Sequence, residues 1–241
     1  MIGFVIALKS EAEYLLNRVE DKKQITLADK EAYLCKICQK DCVIAISGIG
    51  KVNAGLTTQI LIDKFNVDCI FNFGSCGGTN NSVELLNYYA IDECCQYDFD
   101  LSELDPVPVG YIQDYNRVLF PTNSNIFDFL KSKKLASSDR FTNKLNDVNT
   151  VNSIGCSLCD MEGGAIAQVC LSNNVKLYII KGITDIYGSQ SSQEQFFSNL
   201  KAVCQGFPKV IFKAILTCPD IYVDLLTQEN KIKAYANTYA T

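Results

Sequence analysis

The sequence predicts an α/β fold: a single three-layer α/β/α domain around a central mixed, mostly parallel sheet. Three observations predict it. Near-continuous apolar runs, "IGFVIAL" (2–8), "VDCIFNF" (67–73) and "VKLYIIKGI" (175–183), read as strands covered on both faces, because a strand with one wet face alternates. Segments with apolar residues at helical spacing lie between the strand-like runs, the alternation of a sheet with helices on its faces. The chain has 241 residues, 48% of them apolar and 20% charged, enough to bury one substantial core. No internal repeat, low-complexity tract or linker divides it.

The elements follow in order. Strand one, 2–8, leads into "KSEAEYLLNRVE" (9–20), where Ala12, Leu15, Leu16 and Val19 share a helix face. "EAYLCKI" (31–37) and "DCVIAIS" (41–47) read as strands around a polar turn. "GIGKVNAGLTTQILIDKF" (48–65) is a glycine turn and a helix. "VDCIFNFGSCGG" (67–78) is a buried strand ending in a second glycine turn. Residues 83–95 are strand-rich. Residues 100–125, with Pro106, Pro108 and Pro121, form an irregular insertion, and "NIFDFLKSKKL" (125–135) is a helix candidate. "CDMEGGAIAQVC" (159–170) starts a helix on two glycines. A strand over 175–185 ends in Thr184-Asp185, and a long helix over 192–216 is kinked or broken at Pro208. Residues 219–241 are polar and poorly patterned, a terminal helix or a loose tail.

Composition narrows the chemistry. A net charge of −5 argues against nucleic acid or an anionic membrane as partner. No apolar stretch reaches bilayer-spanning length, and the N-terminus lacks the basic flank and cleavage site of a signal peptide. The expected compartment is the cytoplasm, where the twelve cysteines stay reduced. The pairs Cys35/Cys38 and Cys156/Cys159 have metal-like spacing, but the reading adopted is that cysteine serves as a small core residue, so no metal and no cofactor are expected. With no histidine, acid–base chemistry falls to Asp, Glu, Lys, Tyr or Cys.

In such sheets ligands bind beyond the carboxyl ends of the strands. Glu11, "SGIGK" (47–51), "GSCGG" (74–78), Met161-Glu162 and "ITD" (183–185) converge there. Singly each has an ordinary reading: a solvated helix residue, tight turns, an N-cap. "GIGK" is not a phosphate-binding P-loop, since its spacing fails and Val52 follows the lysine.

Taken together, "IGFVIALKSEAEYLL", "SGIGKVNAGLTTQILI", "IFNFGSCGGT", "ASSDRFTN" (136–143), "CDMEGGAIAQVC" and "IIKGITDIYG" resemble the purine nucleoside phosphorylase and nucleosidase superfamily. Within it they look most like the 5′-methylthioadenosine/S-adenosylhomocysteine nucleosidases. The resemblance covers roughly residues 1–217 and implies a domain over 1–218, with 219–241 as an extension of unknown role. It implies cleavage of the N-glycosidic bond of an adenine nucleoside, and a homodimer with the site near the interface. By resemblance, Asp185 is the acid that protonates the purine at N7, with Thr184 where the family usually has Ser. Glu11 activates water, positioned with Ser75. Glu162 binds the ribose hydroxyls, Met161 packs on the sugar, Phe141 stacks on the base, and the Thr142 backbone lies along the base edge. The two glycines after Glu162 then admit close packing beside a bound sugar.

Two alternatives stay open: a phosphate-dependent phosphorylase, and a non-catalytic nucleoside binder of the same fold. Against the first, Asn72 stands where hexameric phosphorylases carry Arg, and only Lys9 is offered in the loop after strand one. Lys181 stands where the nucleosidases tend to have Arg.

Overall fold

A computed structural model describes residues 1–188 and 191–218. The described residues form ten strands and five α-helices: β1 (Ile2–Ile6), α1 (Lys9–Leu16), β2 (Glu20–Leu27), β3 (Lys30–Ile37), β4 (Lys40–Ile46), α2 (Lys51–Phe65), β5 (Cys69–Gly78), β6 (Tyr88–Gln96), β7 (Phe120–Pro121), β8 (Lys131–Ser137), α3 (Leu145–Ser153), β9 (Leu158–Asp160), α4 (Gly163–Ser172), β10 (Lys176–Ile186) and α5 (Ser192–Thr217). The central strands run parallel in the order β4-β1-β5-β10. β3 and β2 extend one edge as an antiparallel meander. On the other side β6 lies antiparallel to β10, and β8 and β9 lie parallel to β6. The sheet is mixed, as expected.

Alternation along β1 makes the layers. Ile2, Phe4 and Ile6 point into one core, with Leu15 and Leu16 of α1 and Phe207, Ile211 and Ile215 of α5. Val5 points into the other, with Ala54 and Leu61 of α2 and Ile166 and Ala167 of α4. Gly3 faces this second core with no room to spare: a Cβ there would lie 2.8 Å from Ile70 Cδ1. Eleven of the twelve cysteines are buried thiols, and seven of them are small apolar fillers of these two cores.

Several expectations need correction. Residues 125–135 are not a helix: a 3-10 turn over Ser124–Ile126 is followed by strand β8. Phe127 is anchored between Phe71 and Tyr178, parallel pairing to β6 claims residues 131–137, and β9 pairs with 135–137 on the other side. The helix after β1 stops at Leu16, and 20–27 is a strand whose solvent-facing, charged pattern carries no period-two signal. α3 over Leu145–Ser153 had not been expected. "GSCGG" is not a turn, because β5 runs on through Gly78 by pairing with β10 and β9. Pro208 neither breaks nor ends α5, which continues to Thr217. The Tyr88 hydroxyl donates to the Val203 carbonyl at 2.6 Å, tying the sheet to the turn before that proline. The expectation for 219–241 lies outside the described residues.

Candidate active site

All eight residues singled out in the sequence, Glu11, Ser75, Phe141, Thr142, Met161, Glu162, Thr184 and Asp185, line one cavity of about 430 Å³. It opens at the carboxyl ends of β1, β5 and β10.

Glu11 sits in the first turn of α1, yet it is 3% exposed. The apolar face of α1, made by Ala12, Leu15 and Leu16, docks on the sheet and turns Glu11 inward. Its Oε1 accepts both the backbone N–H and the hydroxyl of Ser75, each at 2.7 Å, and its Oε2 accepts the Leu8 N–H at 3.2 Å. Gly74 makes the space: a Cβ there would lie 3.0 Å from Glu11 Oε1. Burial raises the Glu11 carboxyl above the ordinary glutamate value, and the Ser75 donors and Lys181 oppose the rise.

Asp185 is placed by a β-bulge. The register of β10 on β5 shifts between Ile183 and Asp185, leaving Thr184 as the extra residue and Asp185 opposite Gly77. A Cβ on Gly77 would lie 3.1 Å from Asp185 Oδ2. The Thr184 hydroxyl, 2.8 Å from Asp185 Oδ1, keeps the carboxylate in place. Burial pushes the Asp185 carboxyl up to about 6, against the hydroxyls of Thr184 and Ser192, which lower it.

Glu162 occupies the N-cap position of α4 and accepts the Gly50 N–H at 3.0 Å. Burial, then repulsion from Asp160, pushes its carboxyl up to about 7, with Lys181 and the Gly50 N–H opposing. Phe141 and Thr142 lie in the loop after β8. Phe141 is 41% exposed and packs edge-on against Phe196 of α5, with ring centroids 6.1 Å apart.

The glycines after Glu162 serve a different purpose from the one expected. A Cβ on Gly163 would meet Leu135 Cδ2 at 2.5 Å, and one on Gly164 the Cys95 carbonyl oxygen at 2.5 Å. They let the first turn of α4 press onto β6 and β8, not onto a sugar. Their N–H groups are taken by Asp160 and Ser137.

Sequence reasoning missed Asp160. It forms an ion pair with Lys181 at 2.8 Å, with side chains only 1% and 2% exposed. Lys181 thus lies within electrostatic reach of Asp160, Glu162 and Glu11, and those carboxylates hold its ammonium charged against burial. The aromatic lip of Phe196 and Phe197 and the wall residues Cys76 and Cys159 were missed too. An isolated Asp in an apolar strand was the available signal for Asp160. The lip carried no signal short of the fold.

Residues 1–217 match the model of the phosphorylase superfamily. The chain belongs to that superfamily. Within it, it most resembles the 5′-methylthioadenosine/S-adenosylhomocysteine nucleosidases. The one from Geobacillus sp. (strain WCH70) is 30% identical over 209 residues, 81% of this chain and 90% of the relative. The one from Geobacillus thermodenitrificans is 31% identical, over 79% and 86%. Among solved structures, the nucleosidase of Colwellia psychrerythraea 34H, in complex with adenine, superposes with a TM-score of 0.82 at 26% identity, covering 94% of this chain and 97% of the other. The superfamily fold is also shared with the futalosine hydrolase of Helicobacter pylori, at 24% identity and a TM-score of 0.81 over 87% and 94%.

Proposed function

We propose that the protein hydrolyses the N-glycosidic bond of adenine nucleosides, 5′-methylthioadenosine and/or S-adenosylhomocysteine, and releases adenine. The observation that carries this reading is the presence in one cavity of two buried carboxyls in different settings, Asp185 and the Ser75-bound Glu11. Two carboxyls with separate surroundings fit acid and base roles in glycoside cleavage.

Asp185 is the acid. Its raised value keeps a proton available near neutral pH, and that proton passes to N7 of the purine as the C1′–N9 bond breaks and its electron pair leaves with the base. The ribose ring becomes oxocarbenium-like. Glu11 is the base. Its Oε1 is saturated by Ser75, so Oε2 is the oxygen left to take a proton from water as the water oxygen bonds to C1′. The Ser75 hydroxyl already donates to Glu11, so toward water it can only accept, which orients the attacking molecule. Glu162 holds the ribose hydroxyls, Met161 packs on the sugar, Phe141 stacks on the base and the Thr142 backbone reads its edge. The buried carboxylates also place negative charge around the cation that develops on the sugar.

Hydrolysis is favoured over phosphorolysis because the cations near the cavity are already engaged. Lys9 binds both oxygens of Glu31, Lys51 binds Asp98, Arg140 binds Asp147, and Lys181 binds Asp160. Asn72, in place of a phosphate-binding Arg, donates to the Val5 carbonyl. Lys51 and Lys181, with side chains only 16% and 2% exposed, are already neutralised by their carboxylates.

The reading extends to a cytoplasmic homodimer. In its support, α2 presents Val52 and Leu56, one turn apart, to solvent beside the cavity mouth at 80% and 47% exposure. No described helix is long and apolar enough to cross a membrane.

The test is to incubate the protein with methylthioadenosine, with and without phosphate, and assay released adenine. Equal release in both is expected. Release that requires phosphate makes the protein a phosphorylase, and binding without turnover makes it a nucleoside-binding protein.

A further inference from the structure

Two successive backbone amides at the start of α2 hold two different loops of the cavity. The Gly50 N–H donates to Glu162 Oε1 at 3.0 Å, and the Lys51 N–H donates to Asp139 Oδ1 at 2.7 Å. The first turn of a helix leaves such N–H groups without intrahelical partners and carries positive partial charge, so carboxylates are suitable caps. Gly50 has φ +99°, a conformation that aims its N–H at Glu162, and a Cβ there would come within 3.1 Å of Asp139 Oδ1.

The second contact belongs to a closed ring. Asp139 in turn donates its own N–H to Asp98 Oδ2 at 2.9 Å, and the Lys51 ammonium reaches Asp98 Oδ1 at 2.6 Å. The Lys51 and Asp98 side chains are only 16% and 13% exposed, so this pair is not a freely solvated surface contact. Three residues from three places thus close on one another: the start of α2, the chain just after β6, and the loop just after β8. Next to Asp98, the Tyr97 hydroxyl lies 2.7 Å from Thr142 Oγ1 and 2.8 Å from Ser138 Oγ. The loop carrying Phe141 and Thr142 is therefore seated on residues 97–98 and referenced to α2, the same helix end that orients Glu162.

We infer that Lys51, Asp98 and Asp139 are positioning residues that fix the base-side loop 138–143 against the start of α2, and so set base-binding Phe141 and Thr142 in register with ribose-binding Glu162. The inference rests on the roles proposed above for those three residues. The clasp touches no substrate. It acts by removing the freedom of the loop, so that the base is bound where Asp185 can reach it.

The test uses the full chain with Lys51→Met, Asp98→Asn, the double variant and Lys51→Arg. Three quantities are measured: adenine binding by calorimetry, steady-state hydrolysis of methylthioadenosine, and hydrogen exchange of the 138–143 amides. Either single change is expected to weaken adenine binding and raise KM about tenfold, the order for one charge-assisted hydrogen bond, with kcat falling less. The double variant is expected to be no worse than the singles, since both break one ring. Lys51→Arg, which keeps a cation within reach of Asp98, recovers most of the loss. Exchange rises in 138–143 and not in the sheet. Unchanged KM and unchanged exchange in Asp98→Asn, with an active wild type, overturn the clasp alone. Additive losses, or losses in kcat alone that track a falling melting temperature, overturn it in favour of a general structural role. A wild type that neither binds adenine nor turns over nucleoside overturns the proposed function, and the base-positioning role with it.

Discussion

Replacing Asp185 by asparagine separates two consequences of burying a carboxyl at this end of the cavity. Asp185 is 3% exposed, and burial lifts it from 3.8 to about 6. The displacement corresponds to roughly 3 kcal/mol, at about 1.4 kcal/mol per factor of ten. The sign follows from the direction. Below the unfolded value both states are protonated and nothing is lost. As pH rises through about 6 the folded protein must ionise a buried group that the unfolded chain ionises freely, so stability falls. Asparagine cannot ionise and escapes this loss, while its amide oxygen can still accept from Thr184. Asp185→Asn is therefore expected to be more stable than wild type at pH 7.5 by up to about 3 kcal/mol, or roughly 5–10 °C in melting temperature for a chain of this size. The advantage vanishes near pH 4. Catalysis moves the other way. With no proton to donate, turnover falls by about 10²–10⁴. The fall of wild-type kcat/KM as pH rises through about 6 is absent from the variant. With no tryptophan in the chain, calorimetry is the suited stability assay. Equal stability at pH 7.5 refutes the desolvation argument, and near-normal turnover removes Asp185 as the acid.

Two further outcomes follow from the same geometry. Glu162→Gln is expected to cost substrates with both ribose hydroxyls about 10- to 100-fold in kcat/KM, and the matching 2′-deoxy substrates clearly less; equal losses would count against the ribose role. Lys181→Met leaves Asp160 buried without its cation and is expected to lower unfolding stability by about 3–5 kcal/mol in urea titrations. Adding Asp160→Asn should recover part of that loss, and a neutral single variant would show that the pair is dispensable.

Much of the site was legible from the convergence of its residues, not from any one of them. A Glu in the first turn of an amphipathic helix, a Thr-Asp pair at the end of an apolar strand and a Glu before two glycines are each ordinary alone. Their recurrence at the ends of successive strands is what pointed to one cavity, and all eight residues line it. The misreadings have physical causes. "KSKK" became part of a strand because parallel pairing to β6 supplies hydrogen bonds that helix propensity cannot match there. "GSCGG" continued as a strand because β10 and β9 pair with it, and its Gly74 and Gly77 spare room for the carboxylates of Glu11 and Asp185, demands invisible in the segment itself.

By itself, then, the chain determined the layered α/β architecture, the strands β1, β5 and β10, and the carboxylates at their ends. Periodicity and burial of long apolar runs are local properties, and order along the chain carries over to order of motifs. Tertiary structure alone decided what each carboxylate meets. Ser75 is 64 residues from Glu11, Gly50 is 112 from Glu162, and Lys181 meets Asp160 only because β10 and β9 flank β5. The proton affinities of Glu11, Glu162 and Asp185 come from burial, and those of Glu11 and Glu162 also from those distant partners, so the chemistry is a property of the fold and not of any one segment.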